Sequence, residues 1–421
     1  MPLRFLATRT HPALLRLPWH LTLSEWPSEL DVPLARGLSR HIVRFVRVEQ
    51  DVYAVKETRQ AWADREYGML RNLRRLGLPV VEPVGIVTGR ETDDDEPIEP
   101  ALITKHLAHS LPYRALFSYR LQDDTLDRVV DALVVLLVRL HLTGFFWGDC
   151  SLSNTLFRRS AGEFAAYLVD AETGELHGVL SYGQRAYDLD LLSTNVFGEL
   201  LDLQAGELLD ADVDPATLVA RIGERYDDLW RALTDVEEFS VDEMWRIEQR
   251  IERLNRLGFD VDELDIVTDW DGATVRIQPK VVEAEHHARR LQGLTGLDVE
   301  ESQARRLLND LDAFAAAHGL QAEDPMIIAH RWVTDVYEPL RAMIPDPLRG
   351  IVEPAEMYHD ILVHRWFLSE RAGDEVDFFD AARSYVESIL PARAATVSAA
   401  ETSDPDELSA VSPSDDDPSF D

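Results

Sequence analysis

A chain of 421 residues, 45% of them hydrophobic, is long enough for two or three domains with sizeable cores. Its formal charge of -35 argues against a nucleic acid or an anionic membrane surface as partner, because both are polyanions. The acidity fits solubility, a high-salt surrounding or a basic partner.

Lysine is scarce: Lys56, Lys105 and Lys280 are the only three, so a lysine at a motif position is informative. The single cysteine, Cys150, excludes an internal disulfide and fits a reducing compartment. The N-terminal stretch lacks the continuous apolar run of a signal peptide. The longest apolar run, 132–146, is interrupted by Arg139 and His141 and is too short to span a bilayer. A soluble cytoplasmic protein is expected.

Taken in order, residues 1–34 are apolar and tryptophan-rich, a lead-in segment expected to pack on the first domain. GLSRHIVRFVRV and DVYAVKE are alternating β-branched runs joined at Glu49, Gln50 and Asp51, which predicts a hairpin. Gly37, Ser39 and His41 lie ahead of it, where backbone N–H groups could cover phosphates; an ordinary turn explains them equally well. Lys56 ends the strand VYAVK, placed as a point charge for nucleotide phosphates. A helix follows from Thr58 to Leu76 and stops at Gly77 with Pro79 beyond. Within it Glu66 is the preferred partner for Lys56, with Glu57 and Asp64 as alternatives.

Strands are predicted around 84–88 and 101–105, separated by an acidic loop read as a solvated hairpin tip. Asp123, Asp124 and Thr125 are expected to cap a buried apolar helix from Leu126 to His141, ended by Gly144. His141 and Trp147 are read as structural. LHLTGFFWGDCSLSN then sets Asp149 five positions before Asn154 in a polar loop, and past a short hairpin Asp170 ends the run Tyr167, Leu168, Val169. One carboxylate that can take or orient a hydroxyl proton, with an amide and a second carboxylate able to hold magnesium, suits phosphoryl transfer. Ala186 to Leu191 is expected to begin another buried helix, with Asp188 bracing the catalytic-loop backbone.

These residues resemble the protein-kinase-like superfamily, and more closely its compact microbial branches: lipopolysaccharide kinases, aminoglycoside and choline phosphotransferases, and Rio- or Bud-type atypical kinases. The resemblance covers about residues 30–200. It implies an α+β fold: a bilobal kinase-like domain with a small antiparallel β N-lobe and a helical C-lobe. Asp149 would be the catalytic base, Asn154 and Asp170 the Mg2+ ligands, Lys56 the phosphate lysine and Glu66 its partner, with ATP as nucleotide. Trp147 replaces a histidine usual two positions before the aspartate, and Ala171 with Glu172 replaces Phe-Gly, so Glu172 is expected near the metal. Ser151 stands where hydroxyl-directed protein kinases usually carry lysine, and the run from Asp170 to Asp188 is too short for a conventional activation loop. A small-molecule, glycan or atypical protein acceptor is therefore expected. The competing reading is a pseudokinase, a nucleotide-binding regulator whose C-terminal domain engages a protein partner. The whole pattern also looks like a family of uncharacterised actinobacterial proteins that pairs this lobe with a C-terminal domain of unknown function.

The expected organisation is thus residues 1–34 as lead-in, 35–204 as the kinase-like domain (N-lobe about 35–106, C-lobe about 107–204), 205–392 as a mostly helical domain with a β-hairpin, and 393–421 as a disordered acidic tail. Residues 201–258 read as helical. Asp271 and Gly272 between β-branched runs predict a hairpin, followed by helices at Glu283–Leu294, Glu300–Ala317, Pro325–Met343 and Pro354–Leu390, the last broken near Gly373. Glu283 with His286, and Glu356 with His359, have the spacing of a carboxylate–imidazole pair on one helix face; a metal bundle is the third reading, and chance explains such pairs in so acidic a chain.

Overall fold

The computed structural model describes residues 3–7, 11–32, 34, 41–117, 123–235, 237–240, 249, 254, 259–268, 274–284, 286–350, 352–372, 374, 376–392 and 394. The N-terminal body is an antiparallel sheet built from β1 (Arg4–Ala7), β2 (Val43–Val48), β3 (Asp51–Glu57), β4 (Glu82–Thr88) and β7 (Ala101–Lys105) in the order β1-β4-β7-β3-β2. Two short strands, β5 (Arg90–Glu91) and β6 (Pro97–Ile98), form the acidic hairpin. The lead-in segment is more than a cover: its first strand pairs along β4, with Arg4 opposite Thr88.

Alternation along β3 decides what each face does. Tyr53 and Val55 join Leu14, Trp19, Leu23 and Trp26 of the lead-in in one core. Ala54 and Lys56 point the other way, into a cleft. Helix α1 (Gln60–Arg75) lies across that second face, packing Ala63 and Tyr67 on Ile86 and Leu102, and the chain leaves it through Gly77 at φ +73°. The lead-in is stapled by Arg90, whose buried guanidinium donates to the carbonyls of Trp19 (3.2 Å) and Leu21 (2.6 Å), to the carbonyl of Glu99 (2.7 Å) and to the Glu57 carboxylate (2.6 Å).

The second lobe follows through β8 (Ser110–Pro112) and α2 (Tyr113–Phe117). Its centre is α3 (Asp123–Leu142), which starts three residues before the expected Leu126, so the expected capping residues lie inside the helix. Leu133, Leu136, Leu137, Val138 and Leu140 are all at most 2% exposed, as an all-round apolar helix requires. Gly144 ends the exit turn at φ +81°; a Cβ there would lie 2.1 Å from the His177 carbonyl oxygen, so only glycine fits. Beyond it come β9 (Phe145–Phe146), the hairpin β10 (Thr155–Ser160) and β11 (Glu163–Leu168), β12 (Glu175–Leu176), which pairs with β9, and α4 (Tyr182–Ala205). Helix α4 begins four residues before the expected Ala186, because Ser181 and Gln184 form a reciprocal capping box.

Helix α5 (Pro215–Thr234) shares the core of this lobe: Leu218, Ile222, Tyr226, Leu229 and Leu233 pack with α3, although they lie past residue 204. Residues 201–258 are not wholly helical, since β13 (Glu237–Ser240) pairs with β15 (Thr274–Ala284), which also pairs with β14 (Phe259–Thr268). The expected hairpin forms; its turn, with Asp271 and Gly272, lies outside the described residues. Helices α6 (His286–Thr295), α7 (Glu301–Ala317), α8 (Pro325–Trp332), α9 (Glu338–Ala342), α10 (Pro354–Ala372) and α11 (Phe378–Ser388) complete the chain around a separate core. A π turn, Val333–Tyr337, divides the helix expected to run unbroken from Pro325. Residues 395–421, which include most of the expected tail, lie outside the description.

This C-terminal body grips the tip of the β10–β11 hairpin, where Ala161 and Gly162 both have positive φ. Glu356 accepts the Ala161 N–H at 2.7 Å, Gln303 donates to the Arg159 carbonyl at 3.2 Å, and Arg158 is ion-paired with Glu300 (3.1 Å) and Glu353.

Candidate active site

Lys56 sits where the two lobes face each other. Its ammonium donates to Glu66 Oε2 (3.0 Å) on α1, to Asp170 Oδ2 (2.7 Å) just past β11, and to Glu172 Oε2 (3.3 Å). Among the sequence alternatives, then, Glu66 is the partner. Glu57 instead takes the Arg90 guanidinium, and Asp64 accepts from Gln60 on the helix surface.

Asp149 and Asn154 lie in the same cleft, whose volume is about 540 Å³. Asn154 Nδ2 donates to the Asp149 backbone carbonyl (3.0 Å) and to its carboxylate (3.1 Å), so the amide fixes the acid's orientation. The Val169 N–H donates to the Asn154 carbonyl at 3.1 Å, and Thr155 stands opposite Leu168. That pairing brings Asn154 and Asp170 to the same end of one hairpin. His41 lies at the cleft with Nε2 3.6 Å from Glu172. Gly37 and Ser39 lie outside the described residues.

The loop carrying Asp149 is held from beneath. Asp188, fully buried on α4, accepts the N–H groups of Trp147 and Gly148, each at 2.8 Å, and lies 3.2 Å from His141 Nε2. Trp147 is buried as packing, and its Nε1–H reaches the Asp170 carbonyl at 3.3 Å. Two braces went unread in the sequence. Glu199 accepts the Leu152 and Ser153 N–H groups, each at 2.8 Å, and Asn195 donates to the Cys150 carbonyl at 2.9 Å. Both stand on α4 with the helical spacing i, i+4; that spacing is their only sequence signal.

Charge in the cleft is unbalanced. Burial alone would lower the Lys56 pKa, but Glu66 and Asp170, with Glu172 beyond them, outweigh it and hold the ammonium charged. Burial, then the Asp170 carboxylate, push Glu66 up to about 8 despite the pull of Lys56. Three carboxylates crowd one ammonium, and the most buried of them, Glu66, is the one whose charged form is disfavoured. Oxygen atoms of Glu66, Asp170 and Glu172 all lie within 4.8 Å of one another, a donor set suited to a hard divalent cation.

Residues 40–213 match the model of the lipopolysaccharide kinase (Kdo/WaaP) family. Residues 228–390 match a domain of unknown function, DUF4032. Among solved structures, a WaaP in complex with acyl carrier protein is similar at 17% identity and a TM-score of 0.35, covering 60% of this chain and 99% of that one. No curated protein matches the chain. No described helix is long and apolar enough to cross a membrane.

The metal-bundle pairs fare differently. Glu283 belongs to β15 while His286 opens α6, so they share no helix face. Glu356 and His359 do share α10, but the Glu356 carboxylate accepts from Ala161 and from Gln303 Nε2 (3.1 Å), bracing the hairpin. Near them, Trp332 at the end of α8 is fully buried, whereas Trp366 on α10 is 59% exposed.

Proposed function

We propose that this chain is an ATP- and Mg2+-dependent phosphotransferase acting on a hydroxyl-bearing acceptor. The observation that carries the reading is Lys56 joined to both Glu66 and Asp170 in a cleft that also holds Asp149 fixed by Asn154. Transfer of a phosphoryl group needs positioning and charge neutralisation far more than covalent chemistry. Lys56 meets the nucleotide phosphates, and Glu66 keeps it aimed. Asn154 and Asp170 would hold magnesium, with Glu172 in reach; the ion supplies neutralisation of phosphate charge when bound. The surplus of carboxylate over ammonium in the cleft supports that assignment. Asp149 orients the acceptor hydroxyl and takes its proton.

The acceptor class we favour is a small molecule, a glycan or an atypical protein. Only a short segment separates Asp170 from α4 at Tyr182, which leaves little platform for a peptide. Thermal-shift titration tests the reading: ATP should stabilise the protein with magnesium and much less without it.

Glu172 favours a second reading. Its carboxylate, 3.3 Å from Lys56, competes with phosphate for the ammonium. On that reading the chain is a pseudokinase, a nucleotide-binding regulator whose C-terminal domain engages a protein. Magnesium-dependent binding with no release of ADP would favour it.

A further inference from the structure

Tyr226 projects from α5, just past the residues that match the kinase family and just before those that match the C-terminal domain. Its hydroxyl lies 2.7 Å from His141 Nδ1, and His141 Nε2 lies 3.2 Å from Asp188 Oδ2. Asp188 in turn accepts the Trp147 and Gly148 N–H groups immediately ahead of Asp149. Tyr226, His141 and Asp188 are at most 2% exposed, so water does not substitute for any of them.

Chemistry sets the direction of each bond. Asp188 Oδ2 already accepts the Trp147 N–H, and a ring protonated at Nε2 adds a second donor to it, whereas a ring protonated at Nδ1 sets two acceptors face to face. Burial holds His141 below its ordinary pKa and so keeps it neutral, and a neutral ring has one N–H. Nδ1 therefore accepts, and the Tyr226 hydroxyl donates to it. Arg185, on α4, adds a positive charge near the phenol.

We propose that Tyr226 is a positioning residue: its hydroxyl selects the His141 tautomer that steadies Asp188, and Asp188 sets the backbone from which Asp149 projects. The inference rests on Asp149 being the residue that handles the acceptor proton. It makes the first helix of the C-terminal half a part of the catalytic loop's support.

Tyr226→Phe keeps the ring, its stacking on Trp230 (5.9 Å) and its edge contact with His141 (5.5 Å), and removes only the donor. Tyr385→Phe is the control: it is equally buried, belongs to the separate C-terminal core, and loses a hydroxyl bonded to Asp360 at 2.9 Å, neither residue lining the cleft. The full chain, labelled with 15N-histidine and assigned through His141→Gln, should show His141 wholly protonated at Nε2. In Tyr226→Phe the signal should become a mixture of tautomers, and exchange of the Trp147 and Gly148 amides should quicken by about tenfold. With Mg-ATP, kcat should fall by about tenfold while KM stays within about twofold. Tyr385→Phe should move none of these. An unchanged tautomer with unchanged loop exchange in Tyr226→Phe would overturn the proposal, as would equal loop exchange in the two tyrosine variants. If the wild-type chain turns over no ATP, the reading of Asp149 fails, while the tautomer and exchange data still decide the role of Tyr226.

Discussion

Lys56 donates to Asp170 across 2.7 Å although the two residues are 114 positions apart. The contact ties the third strand of the N-terminal sheet to the end of the β10–β11 hairpin and closes the cleft around its charges. The consequences of that closure are testable.

Glu172 is the third acid on Lys56. Glu172→Gln removes one negative charge from the place where phosphates are expected, while Glu66 and Asp170 keep the ammonium in position. ATP affinity without magnesium should tighten by about tenfold, a modest fraction of the Coulomb energy at this separation. Isothermal titration of the two proteins checks it, and a weaker affinity would identify Glu172 as a needed ligand instead.

Arg90 holds the lead-in segment to the sheet. Arg90→Met should destabilise the chain by about 3 kcal/mol, because the Glu57 carboxylate and three carbonyls lose their donor in a buried setting. Denaturant midpoints measure this. An effect no larger than that of Arg383→Met, an exposed helical pair, would refute the staple.

His106 lines the cleft with its ring edge-on to Phe45 at 5.5 Å. Burial, with His109 beside it, lowers its pKa to about 4 in the fold, whereas the unfolded ring titrates near the ordinary 6.5. Between those values the unfolded chain takes a proton that the folded chain refuses. The His106 contribution is therefore present above pH 6.5 and is lost as pH falls toward 4. Thermal unfolding across that window should show a slope that His106→Asn flattens.

Cys150 is fully buried beside Asp188, and burial raises its thiol pKa. Thiol reagents should leave the native protein unlabelled for as long as it stays folded and react fully in denaturant. Cys150→Ser should be milder than Cys150→Ala, since it leaves the smaller cavity; comparing their melting temperatures checks this.

Much of the cleft is legible in the sequence because its residues terminate periodic elements. Lys56 closes an alternating strand, Asp170 closes an apolar run, and Asp149 with Asn154 follows a helix with apolar residues all round. Glu66 needed the structure to separate it from Glu57 and Asp64, since helical spacing admits more than one acid. The sequence hid what depends on pairing between distant segments: strand β1 against β4, Arg90 against the lead-in, and Tyr226 against His141. Residues 237–240 fall in the stretch 201–258 that reads as helical, yet pairing with β15 makes them a strand.

The measurement closest to the central claim is magnesium-dependent ADP release from ATP by the full chain and by Asp149→Asn. The variant keeps the size of the side chain and should bind Mg-ATP as the wild type does, with release slowed by about a hundredfold or more. Equal release by the two proteins, or no magnesium-dependent release by the wild type, would contradict the account.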